Sequence, residues 1–217
     1  MGKAALCFFV ALSHSLAQSV YTVDENVFFR NAANSIKQIT SEHFDSDPSL
    51  SFDNKQIVFV RRTPDYLIDT GVGDTDFNEL WIASSDDSKP PRRILRGHAG
   101  SFQRSKHLTL AAFGKPQFSP DGNRVYFTAG IWATSSAINE LDLKTSTSRL
   151  LFPGLDVEVI HDGKCKGYLI GTKDPITDCG RIIVYWLLDP NGKEIKKIGE
   201  NESDLEVFRQ SLRNGKK

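Results

Sequence analysis

Charge of one sign, cysteine and long apolar runs are all scarce in this chain, and each shortage closes off a class of protein. Lysine plus arginine equals aspartate plus glutamate, 27 of each. The formal charge of zero gives no general pull toward nucleic acid or acidic membranes. With only three cysteines, one of them near the N-terminus, a single disulfide is the most the rest of the chain could form. No apolar run approaches the roughly 20 residues of a spanning helix. There is no Gly-x-Ser-x-Gly elbow, no cysteine beside a general base in a recognisable motif, and no phosphate-cradling glycine loop. No catalytic residue and no cofactor are therefore assigned.

What is present begins with a leader. Lys3 gives a short positive start, Ala4 to Leu12 is an apolar run of about nine residues, and Ser15-Leu16-Ala17 offers small residues to a signal peptidase. Residues 1–17 are read as a signal peptide cleaved after Ala17, which predicts a periplasmic or secreted protein with no membrane span once the leader is gone. Cys165 and Cys179 are then the remaining thiols. A hairpin turning near Pro175 places Cys165 opposite the neighbourhood of Trp186 and displaces Cys179 by about six residues, on the order of 20 Å at strand rise. That exceeds the roughly 7 Å a disulfide tolerates between Cα atoms, so a Cys165–Cys179 bridge is left open only for an irregular loop.

Residues 18–200 carry an internal repeat. The segment from Pro48 to Phe59 aligns without gaps to that from Pro116 to Phe127, each reading strand, turn, strand. In the second copy Pro120 presets φ, Asp121-Gly122 tolerates positive φ, and Val125-Tyr126-Phe127 starts a strand. Asp53-Asn54 does the same work in the first copy. A weaker third copy runs from Val157 to Gly163 and resumes at Tyr168. Each hairpin is followed by a second strand pair, as at Glu79 to Ala83 and Arg93 to Leu95, or Asn139 to Leu143 and Arg149 to Leu151. Asn26 to Phe29 and Ser35 to Ile39 look like such a pair without a preceding hairpin. The spacing of roughly 50 to 55 residues is long for a four-stranded unit, and the excess is assigned to insertions at residues 63–76 and 97–114.

The run Phe118-Ser119-Pro120-Asp121-Gly122-Asn123-Arg124-Val125-Tyr126-Phe127 resembles the repeat of TolB-like β-propellers, which also occurs in the non-catalytic propellers of prolyl oligopeptidase relatives. The resemblance implies an all-β fold of four-stranded antiparallel blades, about three full blades plus an N-terminal half blade. That is fewer than the family usually shows. An open arc, a compact small ring, and a shortened relative completed by another subunit all stay open. Residues 201–217 are read as a polar tail holding a short helix or strand, with a basic end that frays into solvent.

The site candidates lie mostly in the insertions. His98, Arg104 and His107 are named as ligand-binding candidates, although two imidazoles without a third ligand in a fixed motif equally describe exposed loop histidines. Trp132 stands before a predicted loop and could line a ligand surface, whereas Trp81 and Trp186 are assigned to sheet packing. Asp65, Asp69, Asp74 and Asp76 read as a solvated acidic turn, and no metal site is assigned. The expected function is a non-enzymatic binding or scaffold module that contacts a protein of the cell envelope, or self-associates through open blade edges. The alternative is a metal-dependent polysaccharide lyase-like or other propeller enzyme acting on an extracellular carbohydrate, which the resemblance also implies; for a metal site His43, His98, His107 and His161 are the available histidines.

Overall fold

Alternation of large apolar residues along short β-branched segments decides both where the strands lie and which way each side chain faces. The computed structural model describes residues 17–69, 74–97, 110–132, 135–178 and 180–214. The first sheet is three-stranded, in the order β1 (Ser19–Val23), β2 (Asn26–Arg30), β3 (Ile36–Gln38). The second is β4 (Asp45–Leu50), β5 (Gln56–Asp69), β6 (Asp74–Ser84), β7 (Arg92–Arg96). The third is β8 (Ala111–Phe118), β9 (Arg124–Trp132), β10 (Ser135–Asp142), β11 (Thr147–Pro153).

The fourth sheet begins with β12 (Asp156–Val159) and β13 (Leu169–Lys173). A small hairpin, β14 (Ile176–Thr177) and β15 (Gly180–Arg181), precedes its last strands, β16 (Val184–Leu188) and β17 (Glu194–Gly199). A helix, α1 (Glu202–Asn214), follows β17. All paired strands are antiparallel. The predicted half blade and three full blades are thus present, with β1 an additional strand that the sequence reading passed over.

One-residue steps send neighbours to opposite faces, and this stacks the sheets in chain order. Ile57 and Phe59 join Val27, Phe29 and Ile39 of the first sheet, while Val58 and Val60 face the third sheet's Phe118, Val125 and Phe127. Tyr126 and Ile138 turn the other way, onto Val157, Val159, Leu169 and Leu188. Ile170, Tyr185 and Leu187, on the far face of the fourth sheet, are covered by Leu205, Phe208 and Leu212 of α1. These three helix residues recur at helical spacing, and the helix is capped by Asn201, whose Oδ1 accepts the Asp204 amide at 3.0 Å. Arg209, expected in a frayed basic end, is instead docked, donating to Glu158 at 2.5 Å, while Lys216 and Lys217 lie outside the described residues.

The two repeated turns share one hydrogen-bond network, which is why their sequences align. Ser51 Oγ donates to Asp53 at 2.7 Å and accepts the Gln56 amide at 2.9 Å; Ser119 Oγ donates to Asp121 at 2.5 Å and accepts the Arg124 amide at 3.0 Å. Asn54 and Gly122 take the positive φ that each turn needs, 60° and 67°. The hydrogen bond from Ser119, with help from Asn123, holds the Asp121 carboxyl down from the ordinary 3.8 to about 2. A depressed folded-state value means the turn's contribution is present above pH 3.8 and is lost as pH falls toward about 2. An NMR titration should find the Asp121 midpoint near 2, and Ser119→Ala should return it toward 3.8.

The insertions are partly strand. Residues 63–76 mostly extend the β5–β6 hairpin, with Asp69 directly opposite Asp74, because β-branched and aromatic residues continue the pairing past Thr63. β8 likewise starts at Ala111, inside the expected 97–114 loop. In the fourth sheet Gly171, not Cys165, lies opposite Trp186, since Cys165 sits in a short 3-10 turn, Gly163–Cys165. Cys165 is a free, half-buried thiol, and Cys179 falls outside the described residues.

Candidate functional site

Strands β4, β8 and β12 are edge strands of their sheets and touch one another in sequence, so they line the inner side of the stack. Two of them are bulged: the register of β4 shifts between Ser46 and Ser49, and that of β8 between Ala111 and Gly114 and again before Gln117. Asp47, Ala112 and Lys115 there have φ of 48°, 49° and 48°, a left-handed backbone costing on the order of 1–3 kcal/mol at each non-glycine residue.

Side chains hold these bulges. Asn78 clasps Phe113, donating to its carbonyl at 2.9 Å and accepting its amide at 2.7 Å. Gln117 bridges to β12, donating to the Val157 carbonyl at 2.8 Å and accepting the Val159 amide at 2.9 Å. Asp47 accepts the Lys115 amide at 3.1 Å, and Lys115 Nζ reaches Asp156 at 2.6 Å. One charged row thus joins the inner strands of three sheets. Its side chains are solvent-accessible, so the ion pair itself is weak and free to exchange partners.

A second polar place is an open cleft of about 570 Å³ between the third sheet and the turn 189–192. Buried Glu140 receives Arg149 at 3.0 Å and Arg124 at 3.4 Å, and the Tyr126 hydroxyl donates to the Pro190 carbonyl at 3.0 Å. Burial pushes the Tyr126 phenol up to about 12, so it keeps the proton it donates to Pro190. Tyr126 therefore fastens the third sheet to the turn of the fourth, and Glu140 ties three strands of the third sheet together. Tyr126→Phe should cost about 1 kcal/mol in urea unfolding, from the lost hydrogen bond. Absorbance titration of the wild type should show one tyrosine ionising near 12, absent from the variant.

The third place is the outer face of the first sheet. Tyr21 and Phe28 stack across strands at 5.8 Å and 15°, and the Arg30 guanidinium lies 5.5 Å from the Tyr21 ring. Val23 and Ile36, on the same face, are 46% and 54% exposed. Arg30 Nε is buried without a hydrogen-bond partner. The opposite end of the stack is shut by α1, so the two ends differ in kind.

No protein-family model matches the sequence, and no curated protein does. The solved structure of TolB from Acinetobacter baumannii does match, with a TM-score of 0.52 at 19% identity, over 83% of this chain and 40% of that one. The fold is that of a TolB-like β-propeller. Matches at lower score include Porphyromonas gingivalis dipeptidyl peptidase 4 (0.48, 12% identity, 85% of this chain and 31% of that one). The β-propeller domain of the Trilobed protease from Pyrococcus furiosus is another (0.47, 17% identity, 73% and 43%). The chain spans less than half the length of each.

Most of the expected ligand residues fall outside the described part of the propeller. His98, Arg104 and His107 lie outside the described residues, and Trp132 is the last residue of β9, followed by residues outside the description. Of the other two histidines named, exposed His43 has Nδ1 2.9 Å from both Asn26 Nδ2 and the Asp24 carbonyl, and His161 stacks on Phe52 at 4.2 Å. Trp81 and Trp186 pack between sheets, as assigned. Among the described residues no group of three or more His, Cys, Asp or Glu side chains could hold a metal ion. The inner row and the first-sheet face were both missed. Pro48 and Gly114-Lys115-Pro116 inside strands were the signal for the bulges, and the β-branched, aromatic run from Ser19 to Val23 was the signal for β1.

Proposed function

We propose that this chain is an exported, non-enzymatic binding or scaffold module of TolB-like propeller type, periplasmic or secreted, which contacts another protein of the cell envelope. The observation that carries the reading is the asymmetry of the arc. One end is closed by α1, while the other offers Tyr21, Phe28 and Arg30 with exposed Val23 and Ile36 beside them. Aromatic and arginine side chains around an apolar patch are the composition of protein-binding surfaces. The leader supports export, and no described helix is long and apolar enough to cross a membrane.

Affinity capture from a solubilised envelope fraction tests the reading. The intact chain should start at Gln18 by mass spectrometry and should retain a protein partner. A double change, Tyr21→Ala with Phe28→Ala, should reduce retention at least tenfold while leaving the circular dichroism spectrum unchanged. No retained partner, or retention indifferent to both substitutions, would remove this surface from the account.

A further inference from the structure

Among the described residues the first sheet is one strand short, and the topology identifies which strand. In the later sheets an innermost strand follows the outermost strand of the sheet before: β7 leads to β8, and β11 to β12. β3 leads to β4 in the same way. Counting inward from β3, the sheet ends at β1 with no innermost strand beside it. Among the described residues β1 is hydrogen-bonded to a strand on one edge only, by β2.

Edge strands that stay single carry charge, proline or a bulge, because an unguarded row of backbone donors and acceptors pairs with whatever strand arrives. The other edges of the three- and four-stranded sheets are guarded. Lys37, Arg93, Glu158 and Lys196 charge β3, β7, β12 and β17, and Pro48, Pro116 and Pro153 interrupt β4, β8 and β11. β1 reads Ser-Val-Tyr-Thr-Val, with no charge, no proline and no register shift. Its free edge has the chemistry of a strand meant to be paired.

We propose that this edge is a docking slot for an extended segment of another protein, which adds antiparallel to β1 as the innermost strand of the first blade. The proposal rests on the binding-module reading and names what binds and where. β8 and β12 show what such a strand looks like: Phe113 and Phe118, and Val157 and Val159, alternate onto the sheet before. On the docked strand the equivalent residues lie beside Tyr21 and Phe28 and extend that apolar face. The segment is therefore about as long as β1, uncharged, and apolar at alternate positions. The C-terminal helix is occupied on the fourth sheet and cannot fill the slot.

The test takes the full chain and an acetylated, amidated Thr-Val-Thr-Val-Thr-Val peptide, with amide hydrogen exchange read residue by residue. In the protein alone, the β1 amides not bonded to β2 should exchange fast. With peptide they should slow at least tenfold while β7 and β17 do not change, and Thr22→Lys, or N-methylation of alternate peptide amides, should abolish the effect. Slow exchange at both β1 edges in the protein alone would overturn the proposal, with sedimentation showing whether a second copy or residues 1–16 fill the slot. Protection elsewhere, or none, would overturn it too. If Thr22→Lys retained an envelope partner as well as wild type, the binding-module reading would stand and the slot would not.

Discussion

Asp45→Ala should destabilise the protein by about 3–5 kcal/mol, the cost of leaving a buried charge without its counter-ion. Asp45 is wholly inaccessible, and its two oxygens take Arg61 Nε at 2.6 Å and Nη2 at 2.9 Å. The guanidinium is itself covered, lying 4.4 Å from the Trp81 ring. Trp81 in turn donates to buried Glu79 at 2.9 Å, and Glu79 receives Arg93 at 2.9 Å. Deleting one carboxylate thus disturbs a chain of groups that runs across the second sheet. A loss of that size is a large part of the roughly 5–15 kcal/mol available to a domain. Urea unfolding measures it, and the paired change Asp45→Leu with Arg61→Met should recover most of the loss. A loss under about 1 kcal/mol would mean that the pair behaves as an exposed one.

Weakening or removing the C-terminal helix should have an effect of similar size. Leu205 is 4% exposed and anchors α1 on Ile160, Ile170, Tyr185 and Leu187. Leu205→Ala should cost about 2–5 kcal/mol. Deleting residues 202–214 should go further by uncovering the whole outer face of the fourth sheet, and the shortened chain should self-associate through it. Sedimentation velocity reads the association directly. A shortened chain that stays monomeric and unfolds at the same urea concentration would show that the helix closes nothing.

Much of the architecture was legible because it is written locally. Ser51 with Asp53 and Ser119 with Asp121 form the same short-range network, and short-range chemistry survives translation into sequence pattern. The strand pairs after each turn were legible for the same reason, through alternation of apolar residues. The misses share a different origin. Residues 63–76 contain Pro64 and four aspartates, which read as loop, yet pairing with a long neighbour carried the strands onward. Leu205 to Phe208 fits a strand or a helix, and the decision came from a distant sheet face that the local sequence cannot report. β1 was overlooked because its five residues adjoin a leader and repeat nothing.

The functional surfaces were less legible still. Asp47, Lys115 and Asp156 come from three sheets and are brought together only by stacking. Tyr21 and Phe28 gain meaning from what does not cover them, which no motif encodes.

The central claim, that the sheets of the described residues stack in chain order and stop short of a ring, is tested most directly by nuclear Overhauser contacts in the isolated protein. The account predicts cross-peaks joining Ile57 and Phe59 to the Val27, Phe29 and Ile39 group, and Tyr126 and Ile138 to the Val157, Val159 and Leu169 group. It predicts none between Tyr21 or Phe28 and the helix residues Phe208 and Leu212. Intramolecular contacts between those two ends would mean a closed ring, and would contradict both the open arc and the binding surface drawn from it.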